Sequence, residues 1–355
     1  MLFKAEGRKQ KAEVVAIEAF LQSEIDVGSF PSAVYATGTA EGIAGEGAVG
    51  NAVVVPVRIP AMLSTIYDCA SLTKPLVTTT LILQAVASGA IALDAKFEGF
   101  TYRELLTHTS GLRAWLPLYA HEDYLETILK DGPDYERGTR VVYSDLNFIL
   151  LWYAIRAVYG DFERATYEKI FRPLGLTDAM FEPARWLRPR IAATEWGQRY
   201  EAKLANRPEL SRTRDRLIWG ETHDGNSYHA GGTAGNAGLF ATARAVFRLV
   251  QGWINGELLP RELVEEATRN HTKGLDDARG YGWQLPTGSD ATKMLSPDAF
   301  GHTGFTGTSV WVDRGHIMVL LTNRVHPCAA PVAIQRIRGE FHRLAISDRR
   351  VYPAD

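Results

Sequence analysis

The chain has 355 residues, of which 46% are apolar, and a formal net charge of −2 at pH 7. This length and this apolar content suffice for one large globular domain or two moderate ones. Because charges of both signs are interspersed and form no basic face, we expect neither a nucleic acid nor an anionic membrane as a partner.

The N-terminal stretch MLFKAEGRKQKAEVVAIEAF carries charges where a signal peptide needs an uninterrupted apolar core. No later segment reaches about 18 consecutive apolar residues, the length that would span a membrane. Two cysteines, Cys69 and Cys328, are too few for a disulfide framework or a cysteine-based zinc site. We therefore expect a soluble cytoplasmic protein, unless a leader has been removed.

The first predicted elements are a helix and a β-hairpin. Residues 10–24 alternate charged and apolar positions at helical spacing. The β-rich runs PSAVYATG and NAVVVPVRI follow, and the glycines of EGIAGEGAVG between them predict the loop of a hairpin. These glycines also match G-x-G-x-x-G, but no helix follows them, so a hairpin explains them better than a dinucleotide site.

From residue 71 to about 230 the pattern is mostly helical. The predicted helices include YRELLTH, DYLETILK, DLNFILLWYAIRAVYG and FERATYEKIF. After Gly238, two helical runs precede GTSVWVD and HIMVLLTN, and the dipeptide RG between these two predicts a tight hairpin. A last helix is predicted from about 330 to 345.

This order of elements predicts an α+β fold. The early and late strands would form one antiparallel β-sheet flanked by N- and C-terminal helices, with a mostly helical subdomain inserted between them. We place the sheet subdomain at residues 1–80 and 235–355 and the helical subdomain at 81–234. A functional site is expected in the cleft between them.

Ser71 and Lys74 stand three residues apart at the start of a predicted helix. Side chains at i and i+3 lie on one helical face, so the amine could reach the hydroxyl. Lysine can activate a serine only if its pKa falls from about 10.4 towards neutrality. Ser-x-x-Lys alone is weak, since it arises by chance about once in a chain of this length. Pro75 predicts an irregular first turn.

Two further segments strengthen the motif. VVYSDLNF puts Tyr143 at the entrance of a helix, and GHTGFTGTSVWVD puts His302, Thr303 and Gly304 at the beginning of a strand. With the Ser-x-x-Lys motif before them, the chain resembles the serine hydrolases of the class C β-lactamase and DD-peptidase superfamily. YDCASLTK, LLTHTSGL and GGTAGNAGLFATA also resemble it, and the resemblance covers about 65–325.

The resemblance implies a role for each matching residue. Ser71 would be the acylated nucleophile, with Lys74 and Tyr143 sharing its proton. Tyr143 would protonate the leaving group and later help to activate water. The oxyanion would lie between the backbone N–H groups of Ser71 and Phe305. We expect no cofactor and no metal.

Two positions depart from the family pattern. Asp145 stands where the second motif usually has asparagine, and a carboxylate favours the charged form of Lys74, which shifts the role of base to Tyr143. His302 replaces the usual lysine of the third motif and is mostly neutral at pH 7, so a substrate carboxylate should bind more weakly. The predicted substrate-binding residues are Asp145, His302, Thr303 and Gly304.

These departures favour an esterase, or an amidase or peptidase, acting on a small ester or amide substrate. A weak β-lactamase and a D-aminopeptidase or DD-carboxypeptidase are alternatives. A noncatalytic binding or scaffold protein on the same fold is a further alternative, which Asp145 and His302 motivate. The natural substrate and the oligomeric state stay open.

Other candidate side chains have simpler interpretations. His108 and His223 lack a second ligand at metal spacing, so we expect hydrogen bonding in a turn or in the core. Cys69 lies two residues before Ser71 without an identifiable activating partner and is predicted to fill the core. Two positions are equally expected for the next four aromatic residues: in the lining of a substrate cleft, or buried in the helical subdomain. They are Trp115, Tyr119, Trp196 and Trp219.

Overall fold

A computed structural model describes residues 2–212, 214–327 and 334–346, with side chains from residue 13 onward except at 211 and 212. Cys328 lies outside the described residues. The helices are α1 (Leu2–Asp26), α2 (Thr80–Ala87), α3 (Tyr102–Leu106), α4 (Tyr124–Asp131), α5 (Asp145–Tyr159), α6 (Phe162–Thr166), α7 (Arg199–Leu204), α8 (Gly225–His229), α9 (Ala243–Ile254), α10 (Arg261–Ala267) and α11 (Gln335–Ile346). The predicted helices are confirmed, and the first one is longer than the sequence pattern indicated; for the last one, predicted from about 330, residues 330–333 lie outside the described residues.

The strands are β1 (Ser32–Thr39), β2 (Gly42–Val53), β3 (Ile59–Pro60), β4 (Tyr67–Asp68), β5 (Lys96–Phe97), β6 (Phe100–Thr101), β7 (Ala179–Met180), β8 (Phe240–Ala241), β9 (Phe300–Thr303), β10 (Ser309–Asp313) and β11 (His316–Thr322). A six-stranded antiparallel sheet has the order β3-β2-β1-β11-β10-β9. The early strands thus pair with the late ones through β1 and β11. The predicted α+β fold, with one antiparallel sheet and flanking helices, is confirmed.

Both faces of this sheet are covered, as the alternation of side chains along β1 shows. Ala33 and Tyr35 pack in one buried cluster, whereas Val34 and Ala36 belong to another. The first cluster includes Ile17 and Leu21 of α1 and Ile337 and Phe341 of α11. The second includes residues of α2, α5 and α9. Helices therefore lie on both sides of the sheet. The subdomain boundaries stay a prediction.

The predicted glycine-rich loop between the first strands is wrong. β2 begins at Gly42 and runs through the glycines, so the turn lies just before it. A Cβ on Gly47 would lie 2.6 Å from the ring of Tyr35 and 2.5 Å from the carboxylate of Glu18. Glycine is needed in this strand because α1 and a tyrosine approach its backbone closely.

The predicted late hairpin is confirmed. β10 and β11 pair antiparallel, and Arg314 and Gly315 between them have φ values of +48° and +77°. Two consecutive residues of positive φ form the turn that matches the twist of paired strands. None of the described helices combines the length and the apolar character that crossing a bilayer would require.

Candidate active site

Ser71 lies in an irregular turn at the head of a buried helix. A 3-10 turn spans Ala70–Leu72 and a π-helical segment spans Lys74–Thr79, so the predicted irregularity is confirmed. Ala70 has a φ of +48°, a left-handed conformation that costs a non-glycine residue about 1–2 kcal/mol. The Asp68 carboxylate holds this conformation, because its Oδ1 accepts from the Ala70 N–H at 2.8 Å.

The ammonium group of Lys74 is fully buried beneath the nucleophile. Nζ donates to Ser71 Oγ at 2.9 Å and to the carbonyl oxygen of Asn236 at 2.9 Å. The third neighbour is Asp145 Oδ1, at 2.6 Å. An ammonium group has three protons to donate, and each of them therefore has an acceptor.

These contacts determine the charge of Lys74. Burial alone would lower the pKa of its ammonium group, but the Asp145 carboxylate and the Tyr143 phenol outweigh burial and hold the pKa above its ordinary value. Lys74 is therefore a cation at neutral pH. Asp145, the departure from the family's second motif, is the largest favourable contribution to that charge.

Tyr143 is surrounded by basic side chains. The centre of its ring lies 4.7 Å from that of His108 and 5.7 Å from that of His302. Lys74 Nζ is 5.0 Å and the guanidinium carbon of Arg279 is 5.4 Å from the ring centre. Burial, followed by repulsion from Arg279 and Lys74, holds the pKa of both histidines well below the ordinary value. Two cations and two neutral imidazoles therefore face this ring.

Hydrogen bonds assign the tautomers of the two histidines. Nδ1 of His108 accepts from the Ser144 N–H at 3.0 Å, so its proton is on Nε2. Nδ1 of His302 donates to the carbonyl of Thr303 at 2.9 Å, so its Nε2 is an acceptor. Neither Nε2 atom has a hydrogen-bond partner among the described residues. The predicted core role of His108 agrees with its nearly complete burial.

The loop after β9 is tied to the turn that carries the nucleophile. Thr306 Oγ1 donates to the carbonyl of Asp68 at 2.8 Å, and Thr308 Oγ1 donates to the carbonyl of Cys69 at 2.9 Å. A Cβ on Gly304 would lie 2.6 Å from the Cys69 carbonyl oxygen. The glycine of the third motif thus allows the loop to approach the nucleophile turn.

This docking brings two backbone donors to the same cavity. Ser71 and Phe305 both line it, and neither backbone N–H has an acceptor within the described ranges. Two such donors directed at one point would form an oxyanion hole. The ring of Phe305 packs against Tyr200, with ring centres 4.4 Å apart, and against His223, at 5.4 Å.

The cavity beside Ser71 has a volume of about 210 Å³. Its lining residues are Ala70, Ser71, Ala114, Trp115, Tyr143, Asp145, Tyr200, Glu201, Leu204, His223, Asp224, Asn236, Ala237 and Phe305. They include three carboxylates and neither lysine nor arginine. Burial and repulsion from Asp224 raise the pKa of Glu201 to about 7. Burial would lower the pKa of His223, but the Glu195 carboxylate, at 3.0 Å, outweighs burial and holds that pKa above its ordinary value. The described wall is therefore mostly apolar and acidic, and its basic side chain is already paired.

The predicted site residues lie close together, although not all of them line the cavity. Those in its wall are Ser71, Tyr143, Asp145 and Phe305, and Lys74 lies beneath them. His302 and Thr303 end β9 and Gly304 follows it, and none of the three lines the cavity. Their catalytic and binding roles stay predictions. Cys69 is buried, and burial raises the pKa of its thiol well above the ordinary value, which agrees with a core role.

Sequence reasoning missed several residues of the site. The carbonyl of Asn236 accepts a hydrogen bond from Lys74. The segment GGTAGNAGLFATA, which resembles the family, contains Asn236 and could have pointed to it. Tyr200, Glu201 and Asp224 line the cavity without any motif to mark them. Of the four aromatic residues left open, Trp115 lines the cavity and the others are not among its lining residues.

Comparison with known proteins finds a family and several relatives. The Beta-lactamase family profile matches residues 36–339. An Escherichia coli (strain K12) protein named "Putative D-alanyl-D-alanine carboxypeptidase" is 31% identical, over 77% of this chain and 72% of its own length.

Two solved structures cover nearly the whole chain. Simvastatin synthase (LovD) from Aspergillus terreus superposes with a TM-score of 0.71 at 17% identity, over 96% of this chain and 99% of that one. EstCE1, described as a hydrolase with promiscuous acyltransferase activity, gives 0.71 at 19% identity, over 97% and 99%. At such identities the likeness concerns the fold alone. With the profile match across most of its length, the chain belongs to the β-lactamase family of hydrolases.

Proposed function

We propose that the chain is a serine hydrolase that cleaves small ester or amide substrates through an acyl-enzyme on Ser71. The observation that carries the proposal is the hydrogen bond of 2.9 Å from Lys74 Nζ to Ser71 Oγ at the wall of a cavity. The backbone N–H groups of Ser71 and Phe305, which have no acceptor among the described residues, also support it because they are available to bind an oxyanion.

In the proposed acylation, the phenolate form of Tyr143 takes the proton of Ser71 while Oγ attacks the substrate carbonyl. Lys74 stays charged because Asp145 pairs with it, and it offsets the negative charge of the phenolate. The phenol then returns the proton to the leaving alkoxide or amine. In deacylation Tyr143 takes a proton from the water that attacks the acyl carbon, and it passes this proton to Ser71 Oγ as the bond between Oγ and the acyl carbon breaks.

The polarity of the cavity supports neutral or cationic substrates over anionic ones. Its wall has carboxylates at Glu201 and Asp224 and no lysine or arginine among the described residues. His302, where the family usually has a lysine, is neutral. A substrate carboxylate would therefore meet repulsion from Glu201 and Asp224, and the basic side chain among the described lining residues, His223, is already paired with Glu195.

D-Alanyl-D-alanine carboxypeptidase activity is the second candidate, which the name of the Escherichia coli relative favours. Such a substrate ends in a carboxylate, and Arg279 is the cation that this activity would use. Its guanidinium carbon lies 5.4 Å from the ring centre of Tyr143, and Nη2 is paired with Asp277 at 2.6 Å. The pairing reduces the charge that Arg279 could offer to a ligand.

The test compares the native protein with Ser71→Ala and, as a matched control, Cys69→Ala. A fluorophosphonate probe should label the native protein and the Cys69 variant on the Ser71 peptide, and p-nitrophenyl acetate turnover should follow the same pattern. Equal labelling and turnover by Ser71→Ala would contradict the mechanism. Absence of labelling and turnover in all three proteins would favour a noncatalytic protein on this fold.

A substrate panel then separates the activities. We expect the highest kcat/KM with short acyl esters or D-amino acid amides, lower values with a D-alanyl-D-alanine peptide and the lowest with a chromogenic cephalosporin. A preference for the dipeptide would establish the carboxypeptidase alternative instead. Rapid cephalosporin turnover would contradict the preference for uncharged substrates.

A further inference from the structure

Arg338 of α11 is a buried cation behind the loop that carries Phe305. Its side chain is 3% exposed, and no carboxylate forms an ion pair with it in the part of the chain that the structure describes. Burial, with repulsion from Arg324, lowers the pKa of Arg338 to about 9. Burying a charge without a counter-ion destabilises the folded protein, so we expect a function that explains the position of Arg338.

The guanidinium group donates to two carbonyls of that loop. Nη2 of Arg338 lies 3.1 Å from the carbonyl oxygen of Gly304 and 2.8 Å from that of Thr308. The Gly304 N–H also donates to the Thr308 carbonyl, at 2.8 Å. On the next carbonyl along the chain, Arg324 Nε donates to Phe305 at 2.7 Å. Two arginine side chains, those of Arg338 and Arg324, therefore donate to backbone carbonyls of this loop.

The carbonyl of Gly304 and the N–H of Phe305 belong to the same peptide unit. A cationic donor at the carbonyl oxygen draws electron density towards that oxygen through the amide resonance and leaves the N–H more positive. Phe305 lines the cavity beside Ser71, and its N–H has no acceptor among the described residues. The charge of Arg338 thus acts on the donor that would bind an oxyanion.

We propose that Arg338 is a positioning residue of the oxyanion hole, which orients and polarises the peptide between Gly304 and Phe305. The inference rests on the proposed function of Ser71. Arg338 is not among the residues that line the cavity, so it acts on the substrate through the peptide and not by contact. In a buried environment a fixed cation stabilises developing negative charge more strongly than it would in water.

The experiment compares Arg338→Met, which removes the donors and the charge, with Arg338→Lys, which keeps the charge. Arg343→Met is the matched control, because Arg343 is on the same helix but 44% exposed and paired with Glu340. We expect Arg338→Met to lower kcat for an ester about 10–100-fold with KM nearly unchanged, less than the loss of a direct oxyanion donor. Arg338→Lys should recover part of that loss, and the control should keep the native rate.

Phenylboronic acid provides the second readout. Addition of Ser71 Oγ to boron, with its proton passed to the base, gives a tetrahedral anion whose oxygen would accept from the same N–H. The affinity of phenylboronic acid for Arg338→Met should fall by the same factor as kcat/KM. A merely structural role would not link the two losses. Circular dichroism checks the fold, and if Arg338→Met is unfolded, the Lys variant decides by the same two measurements.

Native kcat and boronate affinity in a folded Arg338 variant would overturn the inference, as would a loss confined to KM. Ser71→Ala, measured in parallel, separates this failure from that of the proposed function. If Ser71→Ala is inactive and Arg338→Met is not impaired, only the role of Arg338 is wrong. If Ser71→Ala keeps its activity, the function is wrong and the inference falls with it.

Discussion

Two basic groups near Tyr143 are buried in different ways. Lys74 has lost all contact with solvent and is still charged, because Asp145 lies 2.6 Å from its Nζ. His302, at the end of β9, is nearly as buried and is neutral. Its polar contact is with the adjacent backbone carbonyl of Thr303.

The comparison shows that burial alone does not decide the charge. Burial lowers the pKa of Lys74 and of His302, and the nearby carboxylate reverses the result at Lys74 only. Asp145, which stands where the family usually has asparagine, therefore keeps Lys74 charged next to Ser71, whose proton would move in the proposed reaction. The third motif, where the family usually binds a substrate carboxylate through a lysine, supplies no cation here, because its first residue is the neutral His302.

The largest expected effects come from the pair that would share the proton of Ser71. If Tyr143 is the base and Lys74 its charged partner, Tyr143→Phe should slow acylation by roughly 10³ and Lys74→Met by roughly 10². The measurement is the burst of p-nitrophenol release, followed by stopped-flow absorbance. A larger loss in Lys74→Met would make lysine the base, and full acylation by that variant would remove it from the mechanism.

Lys74→Met needs a control for stability, because it leaves the Asp145 carboxylate without its cation. Breaking a fully buried pair costs about 3–5 kcal/mol. The cost should be smaller here, since the Asp145 side chain is 20% exposed. The double variant Lys74→Met with Asp145→Asn removes both charges and should restore the free energy of unfolding without restoring the rate. A double variant as fast as native would show that the single variant fails through folding.

The nucleophile and its lysine could be predicted because they are local. Ser71 and Lys74 are one turn apart, so helical geometry alone brings them together. The same holds for the β10–β11 hairpin, whose turn residues identify it. The rest of the site depends on contacts between distant segments: Asn236 meets Lys74 across 162 residues, and Arg338 meets Gly304 across 34. No periodicity encodes such pairs, because they result from packing of the whole chain.

A smaller effect is expected from Asp145→Asn, which tests the charge of Lys74 directly. Without the carboxylate, burial lowers the pKa of Lys74 with only Tyr143 to oppose it. If the active form contains charged Lys74, activity is lost as the ammonium deprotonates, so the alkaline limb of kcat/KM should move about 1–3 units to lower pH. A profile measured from pH 6 to 10.5 checks this shift. An acid limb that moves down instead, with a faster reaction at pH 7, would identify neutral lysine as the base.

The smallest effect concerns selectivity, through the neutral side of the comparison. His302→Lys would restore the cation that the family usually has, and a charge-assisted hydrogen bond to a substrate carboxylate should raise the ratio of kcat/KM for a cephalosporin over a neutral ester about tenfold. His302→Gln is the neutral control and should leave the ratio near that of the native protein. The new lysine would be buried near Lys74 and Arg279, so the melting temperature is measured for both variants. A folded Lys variant with an unchanged ratio would show that this position does not read a carboxylate, and the acidic wall at Glu201 and Asp224 would then be the element that disfavours anionic substrates.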